Sequence, residues 1–148
     1  MGLYYLDTSA VVKLYIREPG TERILRLASR QADHRLALLA LTAVEFRSAV
    51  RRRERSGDID HDGAAQTVAK FERHLESRFL RQTLSEPVVD IALGLIDRYP
   101  LRAYDALQLA GCLALRAVAG GDDPSFVCAD QTLLDAARSE GLSIIDAA

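Results

Sequence analysis

Leu3-Tyr4-Tyr5-Leu6-Asp7-Thr8-Ser9-Ala10-Val11-Val12-Lys13-Leu14 decides how this chain is organised. Leu3 to Leu6 is a short apolar run carrying two tyrosines, the composition of a strand covered on both faces. A charge inside such a strand is costly, so Asp7 belongs just past its last buried residue. Thr8 or Ser9 is then placed to accept the first free N–H groups of a helix running from about Ala10 to Ile16. Strand, acid and capped helix follow one another without a linker.

Working outward, Glu18-Pro19-Gly20 breaks the chain, and Thr21-Glu22 opens a second helix with Ile24, Leu25, Leu27 and Ala28 at helical spacing, ending near Asp33. His34 to Leu41 is a Leu/Ala run of ambiguous period. Its end reads as a strand, because Thr42-Ala43-Val44-Glu45 follows as a helix start. That helix reaches about Ser56 and stops at Gly57. A polar loop, Asp58 to Gly63, precedes a helix from about Ala64 to Arg78 with Val68, Phe71 and Leu75 on one face. Phe79 to Leu84 is a short strand, Ser85-Glu86-Pro87 begins a helix ended by Tyr99-Pro100, and Arg102 to about Ala119 is a long helix. After the turn Gly120-Gly121-Asp122-Asp123-Pro124, Ser125 to Ala129 forms a strand that hands over to Asp130 and a helix to about Glu140. Gly141 stops it, and Leu142 to Ile145 is the last strand.

Strands separated by helices require parallel crossovers. The fold class is therefore α/β, a three-layer α/β/α sandwich with a mostly parallel sheet, and residues 1–148 are expected to form a single domain. In such a sheet ligands bind beyond the carboxyl ends of the strands. Asp7, Glu45 and Asp130 each stand just there.

Composition narrows the function classes. Cys112 and Cys128 are far apart and in no CxxC spacing, which argues against a zinc site or disulfide framework and for two small buried hydrophobes in a reducing compartment. No basic segment precedes an apolar one at the N-terminus, and the longest apolar run, Leu36 to Leu41, is too short to span a bilayer. A soluble cytoplasmic protein with no membrane partner is expected. A net charge of −2 and a pI near 5.9 give the whole molecule no general attraction for nucleic acid, so such a partner must be held locally. Of the 19 basic side chains only Lys13 and Lys70 are lysines, and arginine is densest at Arg51-Arg52-Arg53-Glu54-Arg55.

Each acid taken singly has a structural explanation. Asp130 is a plausible N-cap, Glu45 pairs with Thr42 in the T-x-x-E capping box, and Asp105 lies in a first helical turn, where the dipole favours an acid. Their coincidence at one sheet edge is what points to function. Clustered carboxylates raise one another's pKa unless a cation compensates, and no lysine, arginine or histidine adjoins Asp7, Asp105 or Asp130 in sequence. Hard oxygen ligands suit Mg²⁺ or Mn²⁺, and the matching chemistry is phosphodiester hydrolysis.

Four blocks, Leu6-Asp7-Thr8-Ser9-Ala10, Thr42-Ala43-Val44-Glu45-Phe46, Tyr104-Asp105-Ala106-Leu107-Gln108-Leu109-Ala110 and Val127-Cys128-Ala129-Asp130, resemble those of the PIN-domain ribonucleases, and most of all the VapC toxins of toxin–antitoxin pairs. The resemblance covers nearly the whole chain and implies a PIN-like fold and a Mg²⁺- or Mn²⁺-dependent endoribonuclease. By that implication Asp7 is the central metal ligand, Asp105 and Asp130 complete the metal sites, and Glu45 binds metal or orients the attacking water. Ser9 matches the small hydroxyl that braces the central acid, with helix capping as its plain alternative. Cys128 departs from the Thr or Ser often found two places before the fourth acid.

The resemblance further implies an RNA substrate, a VapB-type antitoxin seated in a groove on the first two helices, and a homodimer. Helical periodicity places Arg52 on the stripe of Glu45, roughly 10 Å along the axis, as an expected RNA phosphate contact; a solvated helix end is the alternative. Asp135 reads as a solvated helix residue, Asp122 and Asp123 as turn chemistry, and His34, His61 and His74 share no ligand spacing. Two further function classes are weighed. One is a phosphotransferase using Asp7 as nucleophile, which lacks a second acid two residues on. The other is a catalytically silent PIN-fold module that binds RNA or protein.

Overall fold

Leu3–Leu6 forms β1, whose side chains alternate between two cores, and this strand lies at the centre of the sheet in the computed structural model, which describes residues 2–148. The other elements are α1 (Thr8–Tyr15), α2 (Thr21–Ala28), β2 (Arg35–Leu39), α3 (Leu41–Arg55), α4 (His61–Ser77), β3 (Phe79–Gln82), α5 (Glu86–Arg98), α6 (Ala103–Val118), β4 (Ser125–Cys128), α7 (Gln131–Ser139) and β5 (Ser143–Asp146). The five strands run in the order β3-β2-β1-β4-β5, and every pairing is parallel. The sheet expected as mostly parallel is wholly so.

Leu3 and Tyr5 turn to one face of the sheet, where Ala37, Leu39, Phe126 and Cys128 join the apolar sides of α5, α6 and α7. Leu6, Leu36, Leu38 and Val127 turn to the other, against α1, α2, α3 and α4. Strands buried on both sides read as continuous apolar runs, which is why alternation is absent from the sequence of β2 and β4.

The chain leaves β1 toward β2 on one side, while β4 and β5 occupy the other, so the loops after β1 and β4 part company between adjacent strands. This divergence opens the crevice in which doubly wound sheets bind ligands. Two glycines hold the surroundings close. Gly20 stands at φ 92° and presses against the C-terminal segment, where an added Cβ would lie 1.9 Å from the Ala147 carbonyl oxygen. Gly111 on α6 faces Tyr5, whose hydroxyl would lie 2.1 Å from an added Cβ.

Four local readings need correction. Asp7, not Thr8 or Ser9, caps α1, and the helix begins at Thr8. No T-x-x-E box forms on α3, which starts at Leu41 behind an uncapped Ala40; Glu45 is thereby freed for other partners. The second helix ends at Ala28 and continues as a 3₁₀ turn, Arg30–Ala32, rather than running to Asp33. Asp60 caps α4, which therefore begins inside the stretch expected as loop.

Candidate active site

Asp7 is buried beyond the last residue of β1, with its backbone N–H bonded to the Val127 carbonyl of β4 at 3.1 Å. Its Oδ1 accepts from Ser9 Oγ at 2.6 Å and from the Ala10 N–H at 3.0 Å. Ser9 Oγ in turn accepts from the Ala129 N–H at 3.1 Å, so one hydroxyl ties the acid to the strand that carries Asp130. Ser9 thus braces Asp7, whereas the α1 N-cap is Asp7 itself.

Asp130 stands two residues past the end of β4 and caps α7, its Oδ1 accepting from the Leu133 N–H at 3.1 Å. Asp105 lies in the first turn of α6, half-buried. Glu45 lies in the second turn of α3, where Oε1 accepts from Thr8 Oγ1 at 2.8 Å and from Gln108 Nε2 at 2.7 Å. Cap and cluster are therefore compatible roles: Asp7 and Asp130 fill both.

The four carboxylates share one electrostatic neighbourhood. Burial pushes the Asp7 carboxyl up to about 7, against the lowering effect of its bonds from Ser9 and Ala10, and the charges of Asp105 and Glu45 push it further up. Asp105 is also raised, by burial first and then by Asp130 and Glu45, with Arg102 opposing. A basic residue does approach this acid: Arg102, one turn earlier, places Nε 3.8 Å from Asp105 Oδ2 from a solvent-exposed position. That separation exceeds a hydrogen bond, and an exposed pair of this kind contributes little. Among the described residues, no cation pairs with Asp7.

The donor set fits a hard divalent cation. Asp7, Asp130 and Glu45 each take their protein hydrogen bonds on one carboxylate oxygen, leaving Oδ2 or Oε2 for a ligand among the described residues. As they stand, no three His, Cys, Asp or Glu side chains among those residues are arranged to hold a metal ion.

One polar residue in the site, Gln108, was not singled out from sequence. Gln108, buried in the otherwise apolar run Leu107 to Leu113, donates to Thr8, Thr42 and Glu45. A buried amide on an apolar helix face was the signal available. Cys128 lacks an oxygen but points its thiol at the Asp130 carbonyl oxygen, 3.4 Å away, and burial holds that thiol protonated.

The arginine cluster is divided by its partners. Arg51 pairs with Glu54 at 2.7 Å and Arg53 with Glu18 at 2.5 Å, where Lys13 also binds at 3.0 Å. Arg52 is exposed and has no ion-pair partner among the described residues. Asp135 bonds to Gln131 at 2.8 Å, as a solvated helix residue does. Between α3 and α4 a groove of about 540 Å³ has an apolar floor that includes Val68 and Leu75, and a rim that includes Arg47, Arg51 and Arg55. Much of the apolar surface of the first two helices is spent on the core: Val11, Val12 and Ile24 are buried. A smaller cleft of about 130 Å³ is lined there by Leu14, Tyr15 and Leu25.

This sheet order, with acids at the ends of β1 and β4 and on the helices α3 and α6 beside them, defines an α/β protein of the PIN class. Residues 4–127 match the PIN domain family, and the chain belongs to it. It is 31% identical to ribonuclease VapC46 of Mycobacterium tuberculosis over 147 residues, 98% of each chain. The fold is shared with the VapBC2 complex of Rickettsia felis bound to a promoter DNA fragment (TM-score 0.65, 15% identity, 97% of this chain and 98% of that one). It is shared as well with a toxin–antitoxin complex from Klebsiella pneumoniae (TM-score 0.67, 12% identity, 98% of each chain).

Proposed function

We propose that this chain is a divalent-metal-dependent endoribonuclease and the toxin member of a VapBC-type pair. The observation that carries the reading is Asp7, a buried carboxylate beyond the central strand that shares its field with Asp105 and Glu45 and meets no cation among the described residues. Such groups mark functional sites, because a buried charge without a counter-ion is otherwise selected against.

Mg²⁺ or Mn²⁺, when bound, would supply Lewis acidity at the scissile phosphate and a more acidic water. Asp7 is the central ligand, with Asp105 and Asp130 completing the set. Glu45, on α3, serves as a ligand or orients the attacking water by accepting a hydrogen bond from it. Ser9 fixes the Asp7 carboxylate in one rotamer. Arg52 offers an unpaired guanidinium on the helix of Glu45 for an RNA phosphate leading from the site.

The partner is a VapB-type antitoxin, and the apolar, arginine-rimmed groove between α3 and α4 suits an amphipathic acidic segment. A homodimer is part of the same proposal; Val89, Leu93 and Ile96 form an exposed stripe on α5 that it would cover. Sedimentation at micromolar concentration tests it, and a monomer there refutes it.

Induced expression of wild type beside Asp7→Asn, with new RNA 5′ ends sequenced, tests activity and names the target. Ends made by wild type alone are expected. Equal cleavage by both proteins refutes the role of Asp7, and RNA binding without any cleavage would favour the silent module.

A further inference from the structure

Thr8 on α1, Thr42 and Glu45 on α3, and Gln108 on α6 meet at one knot. Gln108 Nε2 lies 3.1 Å from Thr8 Oγ1, 3.0 Å from Thr42 Oγ1 and 2.7 Å from Glu45 Oε1, and Thr8 Oγ1 lies 3.2 Å from Thr42 Oγ1. Three acceptors surround an amide nitrogen that has two hydrogens. On the other side of the same amide, Gln108 Oε1 is buried without any hydrogen-bond partner among the described residues.

That imbalance has one physical reading. Rotating the amide by half a turn would let its oxygen accept from the threonine hydroxyls, but it would set an amide oxygen 2.7 Å from a carboxylate oxygen, acceptor against acceptor. The orientation with N–H on Glu45 is kept although it strands the carbonyl oxygen. Buried polar groups in folded proteins are nearly always satisfied, and an exception calls for a cause beyond packing.

We propose that Gln108 is the positioning residue of this site: its amide, backed by Thr8 and Thr42, holds the Glu45 carboxylate by Oε1 and presents Oε2 to the cation bound by the acids. The inference rests on the metal-dependent reading above. Glu45 repels Asp7 and Asp105, both of which feel its charge. Thr8 Oγ1 also donates to Glu45 Oε1, at 2.8 Å, but its single hydroxyl hydrogen is shared with Thr42; without the amide donor a glutamate on a half-buried stretch of α3 would be held less firmly against that repulsion. Gln108 also stands one turn after Asp105 on α6, so one rigid helix carries an acid and the donor that sets a second acid on a different helix. Residues that orient ligands in this way lower metal affinity or activity by about 10- to 100-fold when removed.

The test uses the full chain with Gln108→Leu, which is of comparable size and removes the stranded oxygen together with the donor. Mn²⁺ binding is measured by calorimetry and by electron paramagnetic resonance, alongside Tm and cleavage of a single-stranded RNA. Expected are a Tm within about 5 °C of wild type, Mn²⁺ affinity reduced by about 10-fold or more, and kcat lowered with KM little changed. Gln108→Met serves the same purpose if leucine does not pack. Wild-type Mn²⁺ affinity in either folded variant overturns the proposal. Asp7→Asn is measured in parallel: if it too binds Mn²⁺ like wild type, the carboxylate-site reading has failed rather than the role of Gln108 alone.

Discussion

At the scale of the residue, Asp7 concentrates the cost of function. Its carboxyl moves from 3.8 in the unfolded reference to about 7 in the folded chain, so the native state binds this proton more tightly. The stability carried by protonated Asp7 is complete below about pH 4 and is lost as pH rises through about 7. With divalent ions chelated, Tm should therefore fall across that window. Asp7→Asn should flatten the fall and melt above wild type at pH 8, by as much as about 4 kcal/mol if the whole shift is expressed. A slope unchanged in the variant would assign the titration elsewhere. Ser9→Ala removes the bond to Asp7 and the acceptor for the Ala129 N–H. It should cost about 1–2 kcal/mol in urea unfolding, with a larger loss in turnover than in RNA binding.

At the scale of the element, α6 is fitted to β1 by a glycine. Gly111 lets the Tyr5 hydroxyl pass where a methyl group would collide, and that hydroxyl is buried without a partner among the described residues. Gly111→Ala should destabilise by about 1–3 kcal/mol. Tyr5→Phe should be neutral or stabilising alone and should recover part of the loss in the double variant, since it removes the shortest contact and an unsatisfied donor while Leu39 Cδ1 and the ring carbon Cζ stay close. Purely additive effects in a double-mutant cycle would disprove the contact. The same helix shows what periodicity conceals. Its apolar face was legible from Leu107, Leu109 and Leu113, but Gln108 looks like an interruption until α1 and α3 bring Thr8, Thr42 and Glu45 against it.

At the scale of the whole molecule, a chain of net charge −2 gathers four acids at one end of its sheet and leaves Arg52 outside them without an ion pair among the described residues. Ligand binding to the native state alone stabilises by mass action, about 2.7 kcal/mol at a hundredfold excess over Kd. Mn²⁺ should accordingly raise the Tm of wild type and leave that of Asp7→Asn nearly unmoved. Equal shifts in both would place the ion elsewhere. Arg52→Ala should weaken RNA binding and reduce the slope of log affinity against log salt by about one; an unchanged slope removes Arg52 from the RNA path. No helix among the described residues is long and apolar enough to cross a membrane.

The sequence by itself determined the strand–helix alternation, and with it the parallel sheet and the edge at which Asp7, Glu45 and Asp130 emerge. Buried strands and helix starts are written in local composition, and the handedness of parallel crossovers leaves few ways to connect them. Only the tertiary structure decided which partner each polar atom takes. The T-x-x-E spacing on α3 forms no cap, Arg53 serves Glu18, and Gln108 reaches Glu45 across 63 positions of chain. A hydrogen bond depends on distances of a fraction of an ångström between elements remote in sequence, and no local pattern encodes that separation.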